Sequence, residues 1–381
     1  MRWLVIPLVL LLLPILSFPI RAEEITLPDA EVVPDEYGDF LDAIPEDIRS
    51  LLPDQLFASN RTEIGEGVRE MSSLSYLIRT LLSLIGLRLG DAVAMLASIT
   101  GLLLISSVSA AIGSSFPSAG VTRAFSFCAT LVILTALLSQ SGKCLSGVAN
   151  YFSTLGTLTA ASIPLMAALY LLGGNTATAV ASSSGLSIFM TVTETVVGKS
   201  ILPFCGLCMS LALVGALDPS IRLGTLLSAI KKNYTTALSF LMMLLLAMLS
   251  AQTLLGARSD TLVMRSARFA TGTLIPVVGG SIAELLKTVS AGVGYLRGAV
   301  GICGVLLLLL TLLPTLVELL LYRLAWQIAA SLADILGCES ERRLLDEFAS
   351  LLGYLIAAVA ICSSVLFLAF TLLTHCVSAI G

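Results

Sequence analysis

Residues 193–200, TETVVGKS, end in the GKS of a phosphate-binding loop. Such a loop needs GxxxxGK[ST], in which the first glycine starts a tight turn whose amides cradle phosphate. Thr193 stands at that place, no strand-like run precedes it, and the flanks are apolar. Nucleotide chemistry is therefore not expected, and Lys199 reads as a side chain snorkelling to a membrane interface. CGLC, residues 205–208, has redox or metal-ligand spacing. A structural zinc site takes about four ligands, yet the chain has one histidine, His375, and no βαβ pattern surrounds the pair. Packing inside an apolar helix accounts for both cysteines. The same inventory bears on hydrolysis. A single histidine excludes HExxH, a Ser–His dyad would have to draw on His375 beyond the last apolar run, and no Asp falls mid-span to form an aspartyl pair. No catalytic residue, metal ligand or cofactor is predicted.

The unusual residues that remain are polar ones embedded in apolar sequence. LIPVVGGSIAELLK, residues 274–287, has the content of a buried segment, but Pro276, Gly279 and Gly280 interrupt it. Glu284 and Lys287 follow, three residues apart and able to meet on one helical turn. Gly and Pro are tolerated at membrane depth where freed backbone groups are buried in protein or face water. These five residues are thus a candidate re-entrant or pore-lining segment. A tight interhelical turn with its charges at the headgroups is the other reading. Glu194 and Glu318 also lie in or beside apolar runs, Glu318 near Arg323, and such carboxylates generally face a bundle interior, a partner or water. Gly294 and Gly298 form a GxxxG step and Gly301 falls near the same face, a spacing that lets two helices approach closely in lipid.

Composition sets the elements that must hold these residues. Of 381 residues, 57% are hydrophobic and 12% charged, with a mean hydropathy of +0.99. A soluble domain carries about a quarter charged residues, so this chain has too little polar surface to cover a water-soluble globule. Apolar runs recur, each long enough to cross about 30 Å of hydrocarbon as a helix. The fold class is all-α, a polytopic helical membrane protein. No basic face with interleaved aromatics suggests nucleic acid as a partner. Eight cysteines are scattered, most of them in apolar runs, as small buried hydrophobes rather than a disulfide framework.

Residues 1–22 read as a signal peptide, with one early Arg, an apolar core and cleavage after Ala22; Ile20 at the −3 position leaves an uncleaved anchor as the alternative. Residues 22–70 hold 14 acidic and three basic side chains. Within them, 23–61 form an extended or partly disordered, proline-containing extracytoplasmic segment with short helices at most. Over 62–90 the apolar residues Val68, Met71, Leu74, Leu77, Ile78, Leu81, Leu82 and Ile85 recur at three and four, an amphipathic helix on the membrane surface or against the bundle. The multispanning domain is 91–381. Its predicted spans are 91–112, 122–140, 151–172, 201–217, 235–256, 298–321 and 350–373. A Ser/Thr/Ala/Gly-rich eighth candidate covers 177–197, so seven spans are expected within a range of six to eight. Basic residues in the loops 218–234 and 257–297 flank one span, and their count leans towards seven, with 257–297 and the C-terminus inside. The charged stretch 333–349 reads as a solvated helix or a docking site.

The order of these features resembles stage III sporulation protein AE of endospore-forming Firmicutes. The resemblance is most specific in LIPVVGGSIAELLKTVSAGVGYLRGAVGICG (274–304) and LLYRLAWQIAASLADILGCESERRLLDEFASLLGYL (320–355). It implies a non-enzymatic subunit of the mother cell–forespore channel complex, in the mother-cell membrane around the forespore. The implied partners are the other stage III sporulation A-operon proteins, among them a separate ATPase and ring-forming subunits, with a forespore channel protein indirectly across the gap. The family has no catalytic motif to carry over. Two other classes stay open from the residues. A secondary transporter would need paired broken helices, for which 173–185 and 276–281 are candidates. A structural scaffold would hold partners through the acidic lead and the 333–349 stretch.

Overall fold

The computed structural model describes residues 36–57, 61–114, 119–172, 174–217, 223–274 and 279–375. The predicted signal peptide lies outside the described residues. The elements are all helical: α1 (Glu36–Asp42), α2 (Glu46–Arg49), a 3-10 turn (Asp54–Phe57), α3 (Arg61–Met71), α4 (Leu74–Ser114), α5 (Ala119–Leu172), α6 (Thr176–Val192), a π turn (Thr193–Gly198), α7 (Lys199–Leu217), α8 (Gly224–Leu274), α9 (Gly279–Ile335) and α10 (Glu339–His375).

Six stretches among the described residues are long and apolar enough to cross a membrane: Leu74–Ile112, Leu131–Leu172, Thr176–Gly215, Gly224–Val263, Val300–Ile335 and Glu339–Leu373. Six is the lower end of the expected range, and the difference from seven has a physical cause. The runs 122–140 and 151–172 are one helix, α5, because SGKCLSGVAN between them has no proline. Opening the helix there would leave backbone amides and carbonyls without partners. The runs 177–197 and 201–217 are likewise continuous, α6 passing into α7 through the π turn. The 62–90 pattern divides at Ser72 and Ser73, and its second half belongs to α4. Of its apolar stripe, Val68, Met71 and Leu77 are buried, whereas Leu74, Ile78 and Leu82 are exposed. In lipid an outward face is also apolar, so helical periodicity does not tell the inner side from the outer one.

α9 and α10 form the centre. Buried residues make up 78% of the most apolar window of Val300–Ile335 and 61% of that of Glu339–Leu373, against 22% for Leu74–Ile112. α4, α5, α7 and α8 surround this pair, with Trp326 of α9 against Phe348 of α10 at 5.8 Å between ring centroids. Lipid tails are as apolar as leucine, so close packing and polar contacts, rather than exclusion of water, hold such helices together.

The described part of the acidic lead, residues 36–57, is docked rather than extended. Tyr37, Phe40, Leu41, Ile44 and Ile48 are buried in one cluster with Leu165 and Leu169 of α5, Leu310 of α9 and Leu373 of α10. The Tyr37 hydroxyl donates to Leu56 O at 3.1 Å and Tyr76 donates to Leu51 O. Burial, and secondarily Cys303 nearby, pushes the Tyr37 hydroxyl well above its usual range. The acids of α1 occupy the opposite side: Asp39 and Asp42 are exposed and Glu36 is half-buried while the apolar residues face in. The last helix therefore ends at the same end of the bundle as the lead, as six crossings require.

Candidate functional site

The interrupted segment lies at a helix junction. α8 ends at Leu274 and α9 opens on Gly279 and Gly280, while Pro276 lies outside the described residues. Glu284 and Lys287 follow on α9, about four and a half and three and a half turns before Val300, and their side chains lie outside the described residues, as do the surroundings of Gly294 and Gly298. Gly301 is buried. One turn further, a Cβ at Gly304 would come within 3.2 Å of the Phe370 ring, so α9 and α10 touch closely there. The stretch 173–185 holds the turn between α5 and α6, where Gly174 adopts a φ of 75° that an L side chain resists, followed by an unbroken helix.

The polar residues of the described bundle tie one helix to another. Glu318 pairs with Arg88 of α4 at 3.5 Å and not with Arg323. Five residues apart on a helix lie about 140° apart around its axis, so Glu318 and Arg323 face different neighbours. Arg323 turns to α10, where its Cζ would be 3.0 Å from a Cβ at Gly353, so the bare backbone of that glycine gives the guanidinium room. Lys231 of α8, 2% exposed, places Nζ 2.9 Å from Glu347 Oε2 and 3.3 Å from Ser350 Oγ on α10, 5.9 Å from the Tyr354 ring centroid. Ser106 of α4 donates to Glu341 at 3.0 Å, and Tyr151 of α5 shares a 2.5 Å hydrogen bond with Ser363 of α10. At the turn between α9 and α10, burial and then the Glu341 carboxylate push the Cys338 thiol up.

Asp260 is the contact that sequence reasoning missed. It is 3% exposed, and its carboxylate accepts the Ala177 N–H at 2.9 Å and the Thr178 N–H at 2.7 Å. A helix N-terminus leaves its first amides without intrahelical acceptors and favours negative charge, so α8 closes the start of α6. Gly256, one turn before Asp260, marks the same contact: a Cβ there would lie 3.0 Å from Thr178 Cα. A glycine four residues before an aspartate at the end of an apolar run was the available signal.

TETVVGKS is helical throughout, as the π turn and the start of α7, and Glu194 and Lys199 are exposed. Cys205 and Cys208 are buried and free. Among the described residues no group of three or more His, Cys, Asp or Glu converges as a metal site would.

Six long apolar helices joined by interhelical ion pairs and buried hydrogen bonds define a multi-pass helical membrane protein. Within that class the chain belongs to the stage III sporulation protein AE family, whose profile matches residues 61–377. It is similar to stage III sporulation protein AE of Bacillus subtilis (strain 168), 24% identical over 243 residues, which cover 64% of this chain and 61% of that protein. No solved structure matches the chain.

Proposed function

We propose that this chain is a non-enzymatic integral membrane subunit of the channel or secretion complex that joins mother cell and forespore and that late forespore gene expression requires. The observation that carries the reading is membership of a sporulation family by a chain that is itself a bundle of membrane-length helices. The ion pairs and buried hydrogen bonds described above hold helices together, which suits a subunit whose task is to present a shaped membrane body to others. TETVVGKS lies inside a helix, so energy for transport is assigned to a separate ATPase. The partners are that ATPase, the ring-forming proteins of the same operon and, indirectly, the forespore channel protein. The site of action is the mother-cell membrane around the forespore. The interrupted segment from Pro276 to Lys287 is assigned to the conduit.

The test is affinity isolation of the tagged chain from membranes of sporulating cells. Recovery of the ATPase and ring-forming subunits is expected. A variant with Pro276, Gly279 and Gly280 all replaced by leucine, and a separate Glu284→Gln variant, should lower spore yield at normal protein levels. Isolation of the chain without any of these proteins overturns the complex, and full sporulation in both variants removes the segment from the mechanism.

A further inference from the structure

One helix face has no partner among the described residues. The span Thr176–Gly215, made of α6, the π turn and α7, lies at the rim of the bundle with 28% of its most apolar window buried, as in Gly224–Val263. Its 40 residues extend about 60 Å at 1.5 Å per residue, against about 30 Å of hydrocarbon in a bilayer. Val180 and Ile188 are exposed on one side of the π turn, and Leu202, Leu207 and Val214 on the other. Upright in such a bilayer, the span would leave part of its apolar surface outside hydrocarbon, where cover by protein is favourable.

Between the two apolar halves sit two exposed charges of opposite sign, Glu194 and Lys199. Neither has an ion-pair partner among the described residues. On a regular α-helix the two would be about 140° apart around the axis. The wider π turn advances less per residue, which brings Lys199 round towards the side that carries Glu194. Both charges thus lie towards one side of the rod, about one turn apart, where a second helix can meet them together. Ser184, Ser187 and Thr191 are exposed just before the pair, small enough to let another helix approach. The Ser184 and Thr191 hydroxyls are satisfied by the carbonyls of Val180 at 2.7 Å and Ser187 at 2.9 Å.

We propose that this face is a self-association surface, on which α6 and α7 of a second copy pack in parallel, with Glu194 of each copy paired to Lys199 of the other. Copies in one membrane share one topology, so their corresponding helices run parallel and the spacing of five can be used twice. The pairing neutralises both charges and covers the apolar halves together. It goes beyond the channel reading and does not depend on it, since its readout is a covalent dimer rather than spore formation.

The test uses the full chain in native membranes with its exposed Cys128 replaced by serine. Single cysteines at Ser187 or Thr191 are oxidised with copper–phenanthroline. Disulfide dimers of this chain are expected at both positions. Glu194→Lys or Lys199→Glu alone should lower their yield about tenfold, as juxtaposed like charges do, and the double reversal should restore it. Co-expression of the two single-reversal chains under different tags should give mixed dimers in preference to like ones. The proposal is overturned if the chain reaches the membrane at its normal level without self cross-links at either position. Cross-links only to a different polypeptide, or single reversals that leave the yield unchanged, overturn it equally.

Discussion

The hydroxyl of Thr178 and the carboxylate of Asp260 meet at 2.6 Å across 82 residues of sequence. With the amides of Ala177 and Thr178 also donating to Asp260, three donors at the start of α6 depend on one side chain of α8. A capping residue normally belongs to its own helix; here the cap comes from a neighbour, so helix start and helix pairing are one interaction.

Asp260→Ala should therefore destabilise the bundle by about 2–4 kcal/mol, the sum of a lost cap and of buried donors left without acceptors. Asp260→Asn keeps a carbonyl acceptor but loses the charge, and should fall between the two. Denaturant titration in detergent micelles measures both. A loss for the alanine variant no larger than that of an exposed-residue control, such as Ser228→Ala, refutes the shared cap.

Lys231 and Glu347 are unequally buried, 2% and 34% exposed, and this predicts an unequal response. Glu347→Gln leaves an ammonium buried with the carbonyl oxygen of residue 347, Ser350 Oγ and the Tyr354 ring beside it and no countercharge. Removing one partner of a buried pair costs about 3–5 kcal/mol. Lys231→Met instead leaves a carboxylate that water can reach, and should cost clearly less. The double variant Lys231→Met with Glu347→Leu should recover most of the loss, because apolar replacement of both charges is often neutral. The same denaturant titration, run as a double-mutant cycle, checks it, and equal losses for the two single variants would contradict the asymmetry.

The membrane class was legible from the residues because each apolar run is long enough to span and the charges are sparse. The ends of the helices were not. SGKCLSGVAN has the composition of a loop, yet it stays helical inside α5, since in a membrane-length rod the unmet amides of a break outweigh modest propensity. Partners were legible only where they are local. Arg323 is the cation nearest Glu318 in sequence, but helical geometry turns it to Gly353 and leaves Glu318 for Arg88, 230 residues away. Asp260 reads as a loop acid because nothing in its own neighbourhood shows that the first turn of α6 lies against it. The acidic lead reads as extended because its four prolines and its charges outweigh the spacing of Tyr37, Phe40, Leu41 and Ile44. That spacing becomes meaningful only once the ends of α5 and α9 are present to receive it.

Three glycines should respond to alanine in a fixed order that reports how closely α6 and α8 approach. At Gly256 the new methyl would meet Thr178 Cα at 3.0 Å, Ala177 O at 3.1 Å and Ala181 Cβ at 3.1 Å. Two of these are backbone atoms, so the helices themselves must part, and the Asp260 cap one turn away must stretch with them. At Gly185 the methyl would meet Gln252 Oε1 and Leu249 Cδ1, each at 2.6 Å. The overlap is tighter, but both are the free ends of flexible side chains that can rotate away. At Gly147 a Cβ would meet nothing within 4 Å, so alanine there brings only its better helix propensity, about 1 kcal/mol in favour of the folded state. Gly256→Ala should thus be the most destabilising, by about 1–3 kcal/mol as for overpacking elsewhere, Gly185→Ala milder, and Gly147→Ala neutral or stabilising. The Gly256 loss should also shrink in an Asp260→Ala background, because the contact it strains is already broken. Additive losses in that double variant would mean that the glycine and the cap act on separate parts of the α6–α8 contact.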